Sequence, residues 1–194
     1  DLFSELQHRV KNSFSMILSM TNLMAKQTTS ETVRSSLEEI SSRIRAFSEM
    51  YDLLYANKDV TDVRLDDYLK RVISSLPLLA DNIRVEKELA PLIIPVKKAI
   101  PAGIIVAELF TNAIKYAFDG EENGKISLGL RKRDGNRAEI LVSDNGKGLP
   151  DDIDPETAGS LGLRIVYALA DQIDGVLSLE TGGGTSWTLV FGIR

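Results

Sequence analysis

The chain has no cysteine, one tryptophan and a single histidine in 194 residues. Without thiols there is no disulfide, no thiolate zinc site and no cysteine nucleophile, and one imidazole builds no histidine metal cluster. A bound metal must therefore be hard and oxygen-ligated. No apolar run is long enough to cross a bilayer, and the N-terminus lacks the basic, apolar and small-residue order of a signal peptide, so the sequence reads as cytoplasmic and without direct membrane contact. A basic stripe is also missing. The 23 Lys and Arg are interspersed with 28 Asp and Glu, and the net charge of −5 argues against nucleic-acid binding. What is present is ordinary for a folded domain: 43% hydrophobic and 26% charged residues. The sequence starts at Asp1 without methionine and enters a helical pattern at once, which suggests a piece of a longer protein.

Apolar positions Phe3, Leu6, Val10, Ile17, Met20 and Met24 recur at spacings of three and four, with Ser13 filling the gap, and predict a heptad seam. After the polar break 27–30, Val33, Leu37, Ile40, Ile44, Phe47, Tyr51 and Leu54 continue the rhythm, with Ser30 as N-cap and Glu31 in the first turn. The short connection predicts an antiparallel two-helix hairpin over 1–57, half of a four-helix bundle that a second copy completes as a homodimer. A helix supplied in cis is the other way to cover the seam.

Residues 58–194 form the second predicted domain. Strands are expected over 60–64, 83–89, 125–133, 137–143, 176–180 and 186–191, and helices over 65–79, 102–118 and 161–173. The Asp134–Gly135 pair predicts a hairpin. Prolines 91, 95 and 101 punctuate the middle. Helices segregated among clustered strands predict an α+β chain whose second part is a two-layer α/β sandwich rather than a doubly wound sheet.

Three segments carry chemistry. In ELFTNAIKYAF, Glu108, Asn112 and Lys115 share a helical face with Tyr116 beside it, opposite Val106, Phe110, Ala113 and Ala117. The Asn112 amide oxygen suits Mg²⁺, Lys115 balances phosphate charge and Tyr116 packs on a base; a solvated amphipathic helix is the plainer account. EILVSDNGKGLP ends a strand at Asp144, followed by Gly146 and Gly148. Asp-Asn-Gly is a good hairpin turn, but 147–155 offers no return strand, and the glycines suit a floor beneath a flat ligand. A carboxylate that only accepts hydrogen bonds favours the exocyclic amine of adenine over guanine's carbonyl, hence ATP over GTP. AGSLGLRIV places Gly159 and Gly162 at a helix start where free N–H groups receive phosphate, or serve simply as cap and linker. The glycines at 182–184 deliver Thr185 toward Asp144, or form a hairpin turn.

In this order the segments resemble the GHKL ATP-binding family: ELFTNAIKYAF is similar to its N-box, SDNGKGLP to the first glycine box, and GSLGLRIV with GGGT to the second. The resemblance covers about the last two-thirds of the chain. It implies ATP under a lid spanning 150–160, with Asn112 on Mg²⁺, Asp144 on adenine, and Gly146, Gly148, Gly159, Gly162, Leu163 and Thr185 around the nucleotide.

On the predicted heptad His8 takes position f and faces away from the seam. ELQHRVKNS resembles the H-box of sensor histidine kinases with a His-Arg-x-Lys-Asn signature. That resemblance implies autophosphorylation of His8 by Mg-ATP, transfer to a response-regulator aspartate, and a sensor domain outside this chain. A neutral imidazole near pH 7 supplies the nucleophile. Many such kinases carry an acid directly after the histidine. Here Arg9 stands there, so Glu108 and Glu5 are the candidate assisting acids, and Asn12 the candidate for the reverse phosphatase reaction. An anti-sigma-type serine kinase, a GHKL ATPase without its own histidine, and an inactive docking scaffold are the competing readings.

Overall fold

The structure is a computed structural model describing residues 2–55, 61–76, 83–118, 124–149 and 161–194; some helix side chains, His8's among them, lie outside the described residues. The chain divides into two compact units, Asp1–Val60 and Thr61–Arg194.

The first unit is a hairpin of α1 (Leu2–Gln27) and α2 (Glu31–Tyr55). Ser30 caps α2 by accepting from Val33 N at 3.4 Å, and Glu31 pairs with Arg34 at 2.9 Å. Three contacts fix the antiparallel register: Ser41 Oγ donates to Thr21 Oγ1 at 2.8 Å, the Phe14 and Tyr51 rings meet edge-on at 6.1 Å, and Lys11 pairs with Asp52 at 2.8 Å. The seam differs from the predicted one. Val10, Phe14, Leu18, Thr21 and Ala25 are the buried or half-buried line, whereas Ile17, Met20 and Met24, with Met16 and Leu23, are exposed. α1 carries two apolar stripes roughly a third of a turn apart, and periodicity alone does not say which one a neighbour covers. The Thr21 and Phe14 line wins because α2 supplies a hydroxyl and a ring to match it. His8 belongs to a third row, with Asn12, Ser15, Ser19 and Lys26, roughly a third of a turn from either stripe; those four are exposed.

In the second unit a short antiparallel pair, β1 (Asp62–Arg64) with β3 (Ile93–Pro95), sits apart from a five-stranded sheet of order β2-β4-β5-β7-β6. The strands are β2 (Ile83–Leu89), β4 (Gly124–Arg133), β5 (Arg137–Asp144), β6 (Val176–Thr181) and β7 (Thr185–Gly192), with helices α3 (Leu65–Ser75), α4 (Val96–Tyr116) and α5 (Leu161–Gln172). β2 runs parallel to β4 and the other pairings are antiparallel. Alternation sends Ile126, Leu128 and Leu130, Ala138, Ile140 and Val142, and Trp187, Leu189 and Phe191 to one buried face. Ile105, Val106, Leu109 and Phe110 of α4 and Val166 and Ala170 of α5 are buried in the same core. On the opposite face Glu139 is enclosed by the Arg131 and Arg133 guanidiniums. The fold is therefore α+β, a helical hairpin followed by a two-layer sandwich.

Helix α4 starts at Val96, six residues before the predicted position, with Pro101 inside it. Proline removes one helical N–H and normally ends a helix. Here burial of Val96, Ala99 and Ala102 outweighs that loss, and Lys98 Nζ clamps the first turn to the Gly192 carbonyl at 2.7 Å. The Asp134–Gly135–Asn136 connection is a hairpin as predicted, with Gly135 and Asn136 both at positive φ.

Candidate functional site

Strand parity places Asp144, like Ala138, Ile140 and Val142, on the helix-covered side of β5, at its very end. Its Oδ1 accepts from Gly146 N at 2.9 Å and from Thr185 N at 3.3 Å, and the Thr185 side chain bonds it too. Partial burial pushes the Asp144 carboxyl above its ordinary value, and these three hydrogen bonds pull back against it. A half-buried acid so anchored is a rigid acceptor.

The chain does not form a hairpin at Asp-Asn-Gly. A Cβ on Gly146 would stand 2.2 Å from the Ala117 carbonyl oxygen, and Lys147 N donates to that oxygen at 3.0 Å, so the loop sits directly on the last turn of α4. Gly148 has φ +76, and a Cβ there would stand 3.2 Å from Gly184 O, so the two glycine turns lie close together. At Gly146 the close approach calls for glycine, and at Gly148 the positive φ does.

The structure thus brings Asp144, Gly146, Gly148 and Thr185 together beside the C-terminal end of α4. Asn112 is half-buried one turn back from that end, while Lys115 and Tyr116 are exposed. Glu108 departs from the expected outward face: it is 5% exposed, because α4 is covered on more of its circumference here than an amphipathic stripe implies. Gly162 and Leu163 are buried in the first turn of α5. Gly159 and the expected lid 150–160 lie outside the described residues. On α1, Glu5 is exposed and receives two bonds from Arg9, at 2.7 and 3.2 Å; the His8 side chain is outside the described residues.

Two residues were missed by sequence reasoning. Ala117 acts through its carbonyl, which no side-chain pattern reveals. Asn145 bonds Lys125 N through Oδ1 at 2.6 Å, and its place between Asp144 and Gly146 was the available signal, since asparagine there mimics backbone in turns.

The residues fit a purine nucleotide: an oriented acceptor, a floor without Cβ atoms, and a helix end bearing amide, amine and phenol. Comparison with known proteins agrees. Residues 5–79 match the family described as histidine kinase, and 98–193 that described as histidine kinase-, DNA gyrase B- and HSP90-like ATPase. The chain is 33% identical over 187 residues to blue-light-activated histidine kinase 2 of Erythrobacter litoralis, covering 93% of this chain and 53% of that protein. It is 30% identical to sensor histidine kinase PdtaS of Mycolicibacterium smegmatis, over 95% of this chain and 38% of that one. It spans about half the length of the first of these curated relatives and less of the second. The solved histidine kinase domain of the Erythrobacter litoralis EL346 blue-light activated kinase superposes with a TM-score of 0.72 at 30% identity, covering 98% of this chain and 90% of that one. Near-complete mutual coverage with that domain, reached by a sequence whose β5 ends in an anchored acid, places the chain among the sensor histidine kinases, as a catalytic region with a GHKL-type, ATP-binding domain.

Proposed function

We propose that this chain autophosphorylates His8 from ATP and passes the phosphoryl group to an aspartate of a response-regulator receiver domain. The observation that carries the reading is the Asp144 carboxylate, half-buried and anchored by two backbone N–H groups at the edge of a glycine floor. Asp144 accepts the adenine amine with Thr185 beside it; Gly146 and Gly148 allow close approach, and Gly159, Gly162 and Leu163 are the further candidate nucleotide contacts. Tyr116 packs on the base and Lys115 offsets phosphate charge. Asn112 would hold Mg²⁺ through its amide oxygen, and the ion would supply further charge neutralisation.

The His8 imidazole nitrogen attacks the γ-phosphorus in line with the leaving oxygen: an N–P bond forms, the bridging P–O bond breaks, and ADP leaves. The imidazole then loses its other N–H proton. The carboxylate that takes this proton is Glu108 or, second, Glu5, which pairs with Arg9. The exposed stripe of Met16, Met20, Leu23 and Met24 supports homodimerisation through the hairpin. Among the described residues no helix is long and apolar enough to cross a membrane; the proposed site of action is the cytoplasm, downstream of a separate sensor domain.

Incubation with Mg²⁺ and γ-labelled ATP is expected to label wild type but not His8→Ala, with a label that is acid-labile and alkali-stable. Equal labelling of His8→Ala, or an acid-stable label, overturns the assignment in favour of a serine-kinase chemistry.

A further inference from the structure

We infer that Asn145 is a positioning residue for base recognition: its side chain lets the chain leave the sheet immediately after Asp144 while holding that carboxylate in place. The inference rests on the adenine role proposed for Asp144. The last register pair between β4 and β5 is Ile126 with Asp144. One step on, Asn145 N donates to Lys125 O at 3.1 Å, as in a continuing strand. The reciprocal bond is not a backbone bond. In a regular antiparallel pair Lys125 N would donate to the Asn145 main-chain carbonyl. It donates instead to the Asn145 side-chain Oδ1, at 2.6 Å.

The side-chain amide therefore stands in for a peptide carbonyl. β4 keeps its partner, the Asn145 main-chain carbonyl is relieved of the ladder, and the next residue, Gly146, turns onto Ala117. Within four residues the chain is tied to β7 through Asp144, to β4 through Asn145 and to α4 through Lys147. An oxygen at this distance from Cα is what the geometry demands: serine is shorter, glutamine one methylene longer, and an apolar side chain accepts nothing. The bond to Lys125 lies at the surface, where water can replace the lost acceptor, so its removal alters the exit direction of β5 more than global stability. A shifted exit moves Asp144 relative to the base and leaves the phosphate-side contacts in place.

The test uses the full chain, with ATP and GTP affinities measured by calorimetry beside thermal melts. Asn145→Ala is expected to weaken ATP binding about tenfold with little effect on GTP, so that preference for ATP collapses while Tm stays near wild type. Asn145→Asp keeps an acceptor oxygen at the same reach; its added charge repels both triphosphates alike, so the ATP-to-GTP ratio should be largely retained. An unchanged ratio in Asn145→Ala, or equal weakening of both nucleotides in step with a lowered Tm, overturns the inference. Asp144→Asn separates the two claims. If it leaves the ratio unaltered, the adenine role itself is wrong; if it abolishes the preference and Asn145→Ala does not, only the role of Asn145 fails.

Discussion

Gly184 lies so close to Asp144 that a Cβ on the glycine would stand 2.0 Å from the Asp144 carbonyl oxygen. Its φ of +123 is also outside the region that side chains accept. Backbone of the glycine turn and backbone of the acid are therefore packed as one piece. Gly184→Ala is expected to cost at least about 2 kcal/mol in urea unfolding and to abolish ATP binding. Gly135, also at positive φ but with nothing within 4 Å, is the control: Gly135→Asn should cost less than about 1 kcal/mol and leave ATP binding intact.

Asp144 links stability to pH with a definite sign. Its folded-state pKa is raised, chiefly by desolvation. The stability it contributes is full below its unfolded value and is lost as pH rises through the folded value, so at neutral pH its charge is a cost. Asp144→Asn should melt at or above the wild-type temperature at pH 7, yet lose at least about tenfold in ATP affinity. In wild type, ATP affinity should fall on acidification at a pH above the ordinary aspartate range. A variant that binds ATP normally dismisses the carboxylate as the base-reading group.

The methionine stripe makes a separate prediction. Met20 and Met24 are 58% and 57% exposed within the hairpin, so charging them should not unfold it. Met20→Glu with Met24→Glu is expected to convert a dimer to a monomer in sedimentation while helical circular dichroism is unchanged. An identical sedimentation profile removes this stripe from any dimer interface.

Tyr68 is 3% exposed, its hydroxyl has no hydrogen-bond partner among the described residues, and burial raises its pKa. Its ring occupies the space that a side chain at Gly103 would need, with a Cβ there 2.5 Å from the phenol. Removing an unsatisfied hydroxyl while keeping the ring should help, so Tyr68→Phe is expected to be neutral or stabilising by up to about 1 kcal/mol in denaturant unfolding. Gly103→Ala should destabilise by roughly 1–3 kcal/mol. A clear loss in Tyr68→Phe would reveal a partner for the hydroxyl.

Much of the fold was legible because its signals are local. Ile83–Leu89 alternates and lies between breakers, so its strand limits were read as they stand; Ser30 is a cap because its hydroxyl reaches N–H groups in its own turn. The three-residue β3 escaped notice because proline-rich segments lack a periodic signature and its partner β1 lies about 31 residues away, in the register Val63 to Ile94. The early start of α4 was missed for a related reason, since the burial that tolerates Pro101 comes from other elements.

By itself, the sequence determined the order of elements, the two-part organisation of hairpin and sandwich, and the residue types able to bind a nucleotide, since propensity, periodicity and donor inventory are properties of neighbouring residues. Tertiary structure alone decided which stripe of α1 meets α2, that Glu108 is buried, and that Asp144 is held by Thr185 from a strand 41 residues away. Those outcomes depend on which distant surface arrives to exclude water, and a linear pattern contains the faces on offer without the choice among them.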